Sequence, residues 1–298
     1  MPEPLLEPKL LRKLEQFQLR TGRRARSSAR GERRSKAHGQ SVEFADYRNY
    51  VAGDDLRYLD WNLYGRLDRF FLKLYEEERE LSVTLFLDAS ESMTFGEPSK
   101  FSFAQKIAGA IGYVSLCGFD RVTLTALPDT AVTPALRSGL RSVRGRKSSL
   151  GFLQALSQLA AGGTMTFNAA LRRAALETRQ PGVAVVLSDF LDPAGYETGL
   201  HALAGRGFRI HALQVLSPEE LAPAHAGDLR LVDSETGAEQ EVTFGRYRLK
   251  AYQRSTQNYI QRLREFCRAR GISFLSVSSG APMEALLLRE FRETGLWG

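Results

Sequence analysis

The chain has 298 residues, 43% of them hydrophobic and 25% charged, which is the ordinary balance of a globular protein with a full apolar core. Two cysteines, Cys117 and Cys267, are too few for a disulfide framework and point to a reducing compartment. The net charge of +7 is local: eight basic side chains lie between Arg20 and Lys36 against Glu32 alone, and the rest of the chain is balanced.

The opening MPEPLLEPKLLRKLEQ lacks the basic flank and apolar run of a signal peptide. Residues 5–20 space leucines and Phe17 at helical intervals, which predicts a short amphipathic helix. Residues 20–36 read as a basic loop, and residues 41–73 alternate acids and bases. The most apolar helical stretch, Ile107 to Phe119, is shorter than the roughly 18–20 residues a membrane span needs, so a cytoplasmic location is expected.

From Leu81 the pattern changes. LSVTLFLD (81–88) is an apolar strand ending in Asp, Lys100–Cys117 a helix and RVTLTAL (121–127) a strand. Helices follow at Ser149–Ala161 and Phe167–Thr178, separated by Gly162-Gly163. GVAVVLSD (182–189) is a second apolar strand ending in Asp, followed by helix Pro193–Ala204 and strand 208–216. Residues 229–244 predict a hairpin, then come helix Tyr247–Arg270, strand 272–277 and helix Pro282–Arg292. Apolar strands alternating with helices predict a doubly wound, mainly parallel α/β sheet of Rossmann-like type, with an N-terminal extension and a hairpin insertion. The expected division is an N-terminal helix and basic arm (1–37), an N-terminal segment (38–80) and the α/β domain (81–292).

In such sheets ligands bind at the carboxyl ends of the strands, where strand order reverses. Two apolar strands here end in Asp, and a Gly162-Gly163-Thr164 turn lies between them in sequence. The turn Asp88-Ala89-Ser90-Glu91-Ser92 offers hard oxygens, the ligands Mg²⁺ prefers. Taken singly, Ser90, Ser92, Thr164 and Asp189 read as helix caps or turn residues; their conjunction suggests a shared site.

DASES, GGT and the strand-final SD resemble the metal-ion-dependent adhesion site of von Willebrand factor A domains. FADYRNYVAGDDLRYLDW (44–61), followed by FFLKLYEEE and LFLDASESM, resembles the bacterial domain of unknown function 58 family, over about residues 38–280. The resemblance implies a von Willebrand factor A-like domain and Mg²⁺ or Mn²⁺ held by Asp88, Ser90, Ser92, Thr164 and Asp189. It also implies a partner protein offering an Asp or Glu to the metal, and a MoxR-type AAA+ ATPase as that partner. Within 46–73, residues Asp54, Asp55, Arg57, Asp60 and Trp61 are candidates for partner contact; a salt-bridged surface layer is the alternative.

Enzyme signals are weak. SVRGRKSS (142–149) has Arg146 where a phosphate-binding loop places Lys, and no G-x-S-x-G elbow occurs. His38, His201, His211 and His225 lack metal-ligand spacing. A non-catalytic Mg²⁺-dependent adaptor is therefore expected. The alternatives are a Mg²⁺-dependent phosphotransferase or hydrolase built on Asp88, and a nucleic-acid-binding accessory protein acting through the basic arm 20–36.

Overall fold

The computed structural model describes residues 4–19, 42–77, 81–128, 140–178, 180–223, 227–232 and 239–297. The basic arm 20–36 lies outside them. The chain divides into two compact units, residues 1–20 with 81–298 and residues 21–80. The N-terminal helix α1 (Pro8–Leu14) thus groups with the α/β unit, where it packs against the helix Lys100–Cys117.

The smaller unit pairs β1 (Val42–Asn49) with β2 (Phe71–Glu77) in an antiparallel hairpin, with helix α2 (Trp61–Leu67) between them in sequence. Asp60 caps α2 by accepting from the amides of Asn62 and Leu63, which satisfies two donors a helix start leaves open. The sequence alone predicts no strand here. A bulge between Phe44 and Asp46 breaks the period-two pattern that marks a strand.

The larger unit is an α/β sandwich. Its sheet contains β3 (Ser82–Asp88), β4 (Arg121–Leu127), β5 (Val143–Arg144), β6 (Val183–Ser188), β7 (Arg209–Leu216) and β10 (Ser273–Ser278). The spatial order is β10-β7-β6-β3-β4-β5, parallel throughout except for the short edge strand β5. β3 and β6 are buried on both faces, which is why they read as mostly apolar runs. Val83, Leu85 and Leu87 face the core that holds α3 (Lys100–Cys117) and α4 (Ser149–Ser157). Phe86 turns the other way, toward α5 (Phe167–Glu177) and α6 (Glu197–Gly205). This core also receives Leu263 and Cys267 of α8 (Arg246–Arg268), which follows the short helix α7 (Pro218–Leu221) and the hairpin β8 (Gly227–Val232) and β9 (Glu239–Phe244). The last helical segment is three pieces, Met283–Ala285, a π-turn Leu286–Glu290 and Phe291–Glu293. Among the described residues no helix is long and apolar enough to cross a membrane.

The chain runs from β3 to β4 on one side and later returns to β6 on the other. Strand order therefore reverses at β3 and β6, and their carboxyl ends define the crevice where such sheets bind ligands.

One core residue makes stability pH-dependent. His211 on β7 is 4% exposed, and its Nε2 has no hydrogen-bond partner. Burial, then the charge of Arg209, push its pKa down to about 4. The fold takes the neutral ring, so its contribution is intact above the ordinary histidine value and is lost as pH falls toward 4. The loss amounts to about 3 kcal/mol. Urea unfolding at pH 7 and pH 4.5 should show a larger acid loss in the wild type than in His211→Gln, and equal losses would rule this out.

Candidate metal centre

Asp88 closes β3, and the neighbouring strand sets Ser188 beside it, since Leu87 pairs with Leu187 in parallel register. The Ser188 hydroxyl donates to Asp88 Oδ2 at 2.5 Å. The Ser90 amide and hydroxyl both donate to Oδ1, at 3.0 and 2.7 Å. The Ser90 and Ser92 hydroxyls lie 3.0 Å apart, so Asp88, Ser90 and Ser92 form one connected group of oxygens.

The loop is held from both sides. The Ala89 amide donates to Leu127 O of β4 at 2.7 Å. The Gly162-Gly163 turn docks on it through Gly162 N to Ala89 O (2.8 Å) and Glu91 N to Gly163 O (2.9 Å). Gly163 has φ 84°, a left-handed conformation that favours glycine. Thr164 follows directly and is exposed, so the turn that carries it sits against the Asp88 loop.

Asp189 follows Ser188 at the end of β6 and is buried. Its Oδ1 accepts from the Leu191 amide at 3.0 Å, and its carbonyl accepts from Gln214 Nε2 at 3.0 Å. Phe190 next to it has φ 57°, a strained backbone for a bulky residue, and its carbonyl accepts from the Tyr259 hydroxyl.

Burial and then the negative charge of Asp189 push the Asp88 carboxyl well above the usual carboxylate range, although the serine hydrogen bonds act the other way. Asp189 in turn pairs with Lys100 Nζ at 2.7 Å, and the same ammonium meets Glu220 Oε1 at 2.6 Å. Lys100 is 1% exposed. Burial alone would lower its pKa, but Asp189 and Glu220 outweigh it and hold it above the ordinary lysine value. Glu220 is oriented by a capping box: its Oε2 accepts from the Ser217 amide at 2.8 Å, leaving Oε1 for Lys100. Two carboxylates, Asp189 and Glu220, thus meet one ammonium, and Asp88 lies close enough to Asp189 to feel its charge. The donors are all hard oxygens, which suits Mg²⁺ or Mn²⁺. Among the described residues no group of three or more His, Cys, Asp or Glu side chains is arranged to hold a metal. A cation here would rely on two carboxylates and on hydroxyls.

Sequence reasoning met Ser188 only as part of the strand-final SD, with no role of its own, and missed Lys100 and Glu220. For Lys100 one signal existed: it opens a helix capped by Ser99, where a positive charge opposes the helix dipole.

The candidate partner residues lie in the smaller unit, and several have structural work there. Arg48 and Asp54 form a two-pronged pair at 2.7 and 2.8 Å. Asp60 caps α2 and meets Lys73 at 3.1 Å. Arg57 holds the Asp55 carboxyl down to about 2. Trp61 is 63% exposed, close to Leu56, Tyr58 and Leu67 in sequence, which are also exposed.

A family model described as Protein of unknown function DUF58 matches residues 46–261. Uncharacterized proteins of Mycobacterium bovis and Mycobacterium tuberculosis are each 28% identical over 241 residues, 80% of this chain and 74% of theirs. A solved structure of the conserved hypothetical protein BatB from Bacteroides thetaiotaomicron is 14% identical, with a TM-score of 0.40 over 72% of this chain and 98% of that one. An aerotolerance-related membrane protein from Bacteroides fragilis is 15% identical, with a TM-score of 0.39 over the same shares.

Proposed function

The chain belongs to the Protein of unknown function DUF58 family, and from that membership we propose that its α/β unit is a von Willebrand factor A-like domain serving as a Mg²⁺-dependent protein-binding adaptor. The observation that carries this reading is the joining of Asp88, Ser90 and Ser92 into one oxygen cluster beside Asp189, at the reversal point of the sheet. Asp88, Ser90, Ser92, Thr164 and Asp189 would hold the ion, directly or through water. The ion would supply a Lewis-acidic position open to an incoming carboxylate, because hydroxyl ligands carry no formal charge and leave it weakly neutralised. The partner then presents an Asp or Glu, and a MoxR-type AAA+ ATPase is the partner we favour. The exposed Trp61 and its apolar neighbours give the smaller unit a surface suited to a second contact.

Lys100 gives a phosphotransferase or hydrolase one point of support, since phosphoacceptor aspartates work beside a lysine. Two features weigh against it. Both Asp88 oxygens already accept from serine donors, and two of the three Lys100 donors are taken by carboxylates.

Capture of the AAA+ ATPase by immobilised protein should be lost with EDTA and in Ser90→Ala. The fold should change by no more than about 1–2 kcal/mol in that variant, because only the two hydrogen bonds of the Ser90 hydroxyl, to Asp88 and Ser92, are removed. Capture that survives both treatments contradicts the adaptor mechanism. Release of phosphate from a nucleotide or phosphate ester without any partner, lost in Asp88→Asn, would favour the enzyme instead.

A further inference from the structure

We propose that Lys100 is a built-in cation that competes with the divalent ion for Asp189, with Glu220 as the place it retreats to when the ion binds. The inference rests on the metal-site reading and adds to it a residue outside the oxygen cluster. Lysines are seldom fully buried unless paired. Here the ammonium is sealed between two carboxylates from different elements, the end of β6 and helix α7. An ammonium has three protons to donate and no capacity to accept. It can give up Asp189 only if another carboxylate keeps it, and Glu220, fixed by its capping box with Ser217, is placed for that. A divalent ion at Asp88 and Asp189 would repel the ammonium at short range, in surroundings that screen charge poorly.

Without the ion, Lys100 neutralises Asp189 and holds the strand end together. With the ion, the ion takes over Asp189 and Lys100 rests on Glu220 alone. The turn 217–221 is thereby tied to the ionic state of the site, since the carboxyl that caps it also holds Lys100. The expected behaviour is moderate affinity, because the ion must displace a competitor already in place.

The test is calorimetric titration of MgCl₂ and MnCl₂ into the full chain, with thermal melts to confirm folding. Lys100→Met should tighten ion binding by about tenfold, within the usual range of coupling between two sites. Glu220→Gln, which removes the retreat but keeps the competitor, should weaken it by a similar factor. Lys106→Met removes an equal charge at an exposed position of the same helix and should leave affinity within about twofold. If Lys100→Met does not fold, the fall in Glu220→Gln carries the test alone, and unchanged or tighter binding there overturns the proposal. Equal affinity in the wild type and Lys100→Met overturns the competition while leaving the metal site standing. A matching gain in Lys106→Met reduces the effect to long-range charge and also overturns it. No ion binding in any variant, the wild type included, overturns both this inference and the metal-site reading.

Discussion

Asp88→Asn should leave the protein folded and abolish its stabilisation by Mg²⁺. The substitution is isosteric. Oδ1 is kept to accept from Ser90, and the Ser188 hydroxyl can turn from donating to accepting opposite the new amide. What disappears is a charge that burial and Asp189 already disfavour. Unfolding free energy without metal should therefore stay within about 1 kcal/mol of the wild type, or rise. In the wild type, Mg²⁺ at a hundred times its dissociation constant should add about 2.7 kcal/mol, because it binds the folded chain and not the unfolded one. In Asp88→Asn that gain should vanish. An equal Mg²⁺ shift of the melting temperature in both proteins would remove Asp88 from the site.

The second large effect is on folding itself. Gly182→Ala should destabilise the protein by at least about 3 kcal/mol, at the upper end of what overpacking costs. A Cβ at Gly182 would lie 2.0 Å from the carbonyl oxygen of Ser82. Neither side can yield cheaply. Gly182 O accepts from the Arg209 amide at 2.9 Å, and Ser82 begins a strand paired on both edges. The obstacle is backbone rather than a flexible side chain, and it lies at the opposite end of β3 and β6 from the candidate site. Urea unfolding measures it, and a change under about 1 kcal/mol would mean the two strands are less closely set than described.

Much of the sheet was legible because burial on both faces leaves a plain trace. LSVTLFLD and GVAVVLSD are mostly apolar, and an aspartate marks the end of each run. Their apolar character and shared strand-end Asp pointed to a common site, and the structure pairs the two strands directly. The smaller unit was not legible as a hairpin. The bulge between Phe44 and Asp46 shifts the register by one residue, and pattern reading depends on that register holding. Helix ends were read a few residues long, as at Ser149, whose helix stops at Ser157 rather than running to Ala161.

The oxygen cluster could be listed from sequence because its members sit in short strings at strand ends. Its electrostatic partners could not. Lys100 and Glu220 are 120 residues apart in the chain, and each looks like an ordinary solvated charge until the fold seals them together. Asp60 shows the converse: a motif residue that suggested partner contact caps a helix and meets Lys73. Chemistry confined to one loop is local information, whereas the counter-charge of a buried site is tertiary.

The central claim is that a divalent ion is held at the joined ends of β3 and β6. It is tested most directly by crystals of the protein soaked in MnCl₂, with the ion located by its anomalous scattering. The account predicts one strong peak bounded by Asp88, Ser90 and Ser92, with direct oxygen ligands near 2.1 Å, roughly the distance Mg²⁺ adopts. The same peak should be missing in Asp88→Asn. Saturating Mn²⁺ that leaves the strand ends empty, or a peak there that persists unchanged in Asp88→Asn, would contradict it.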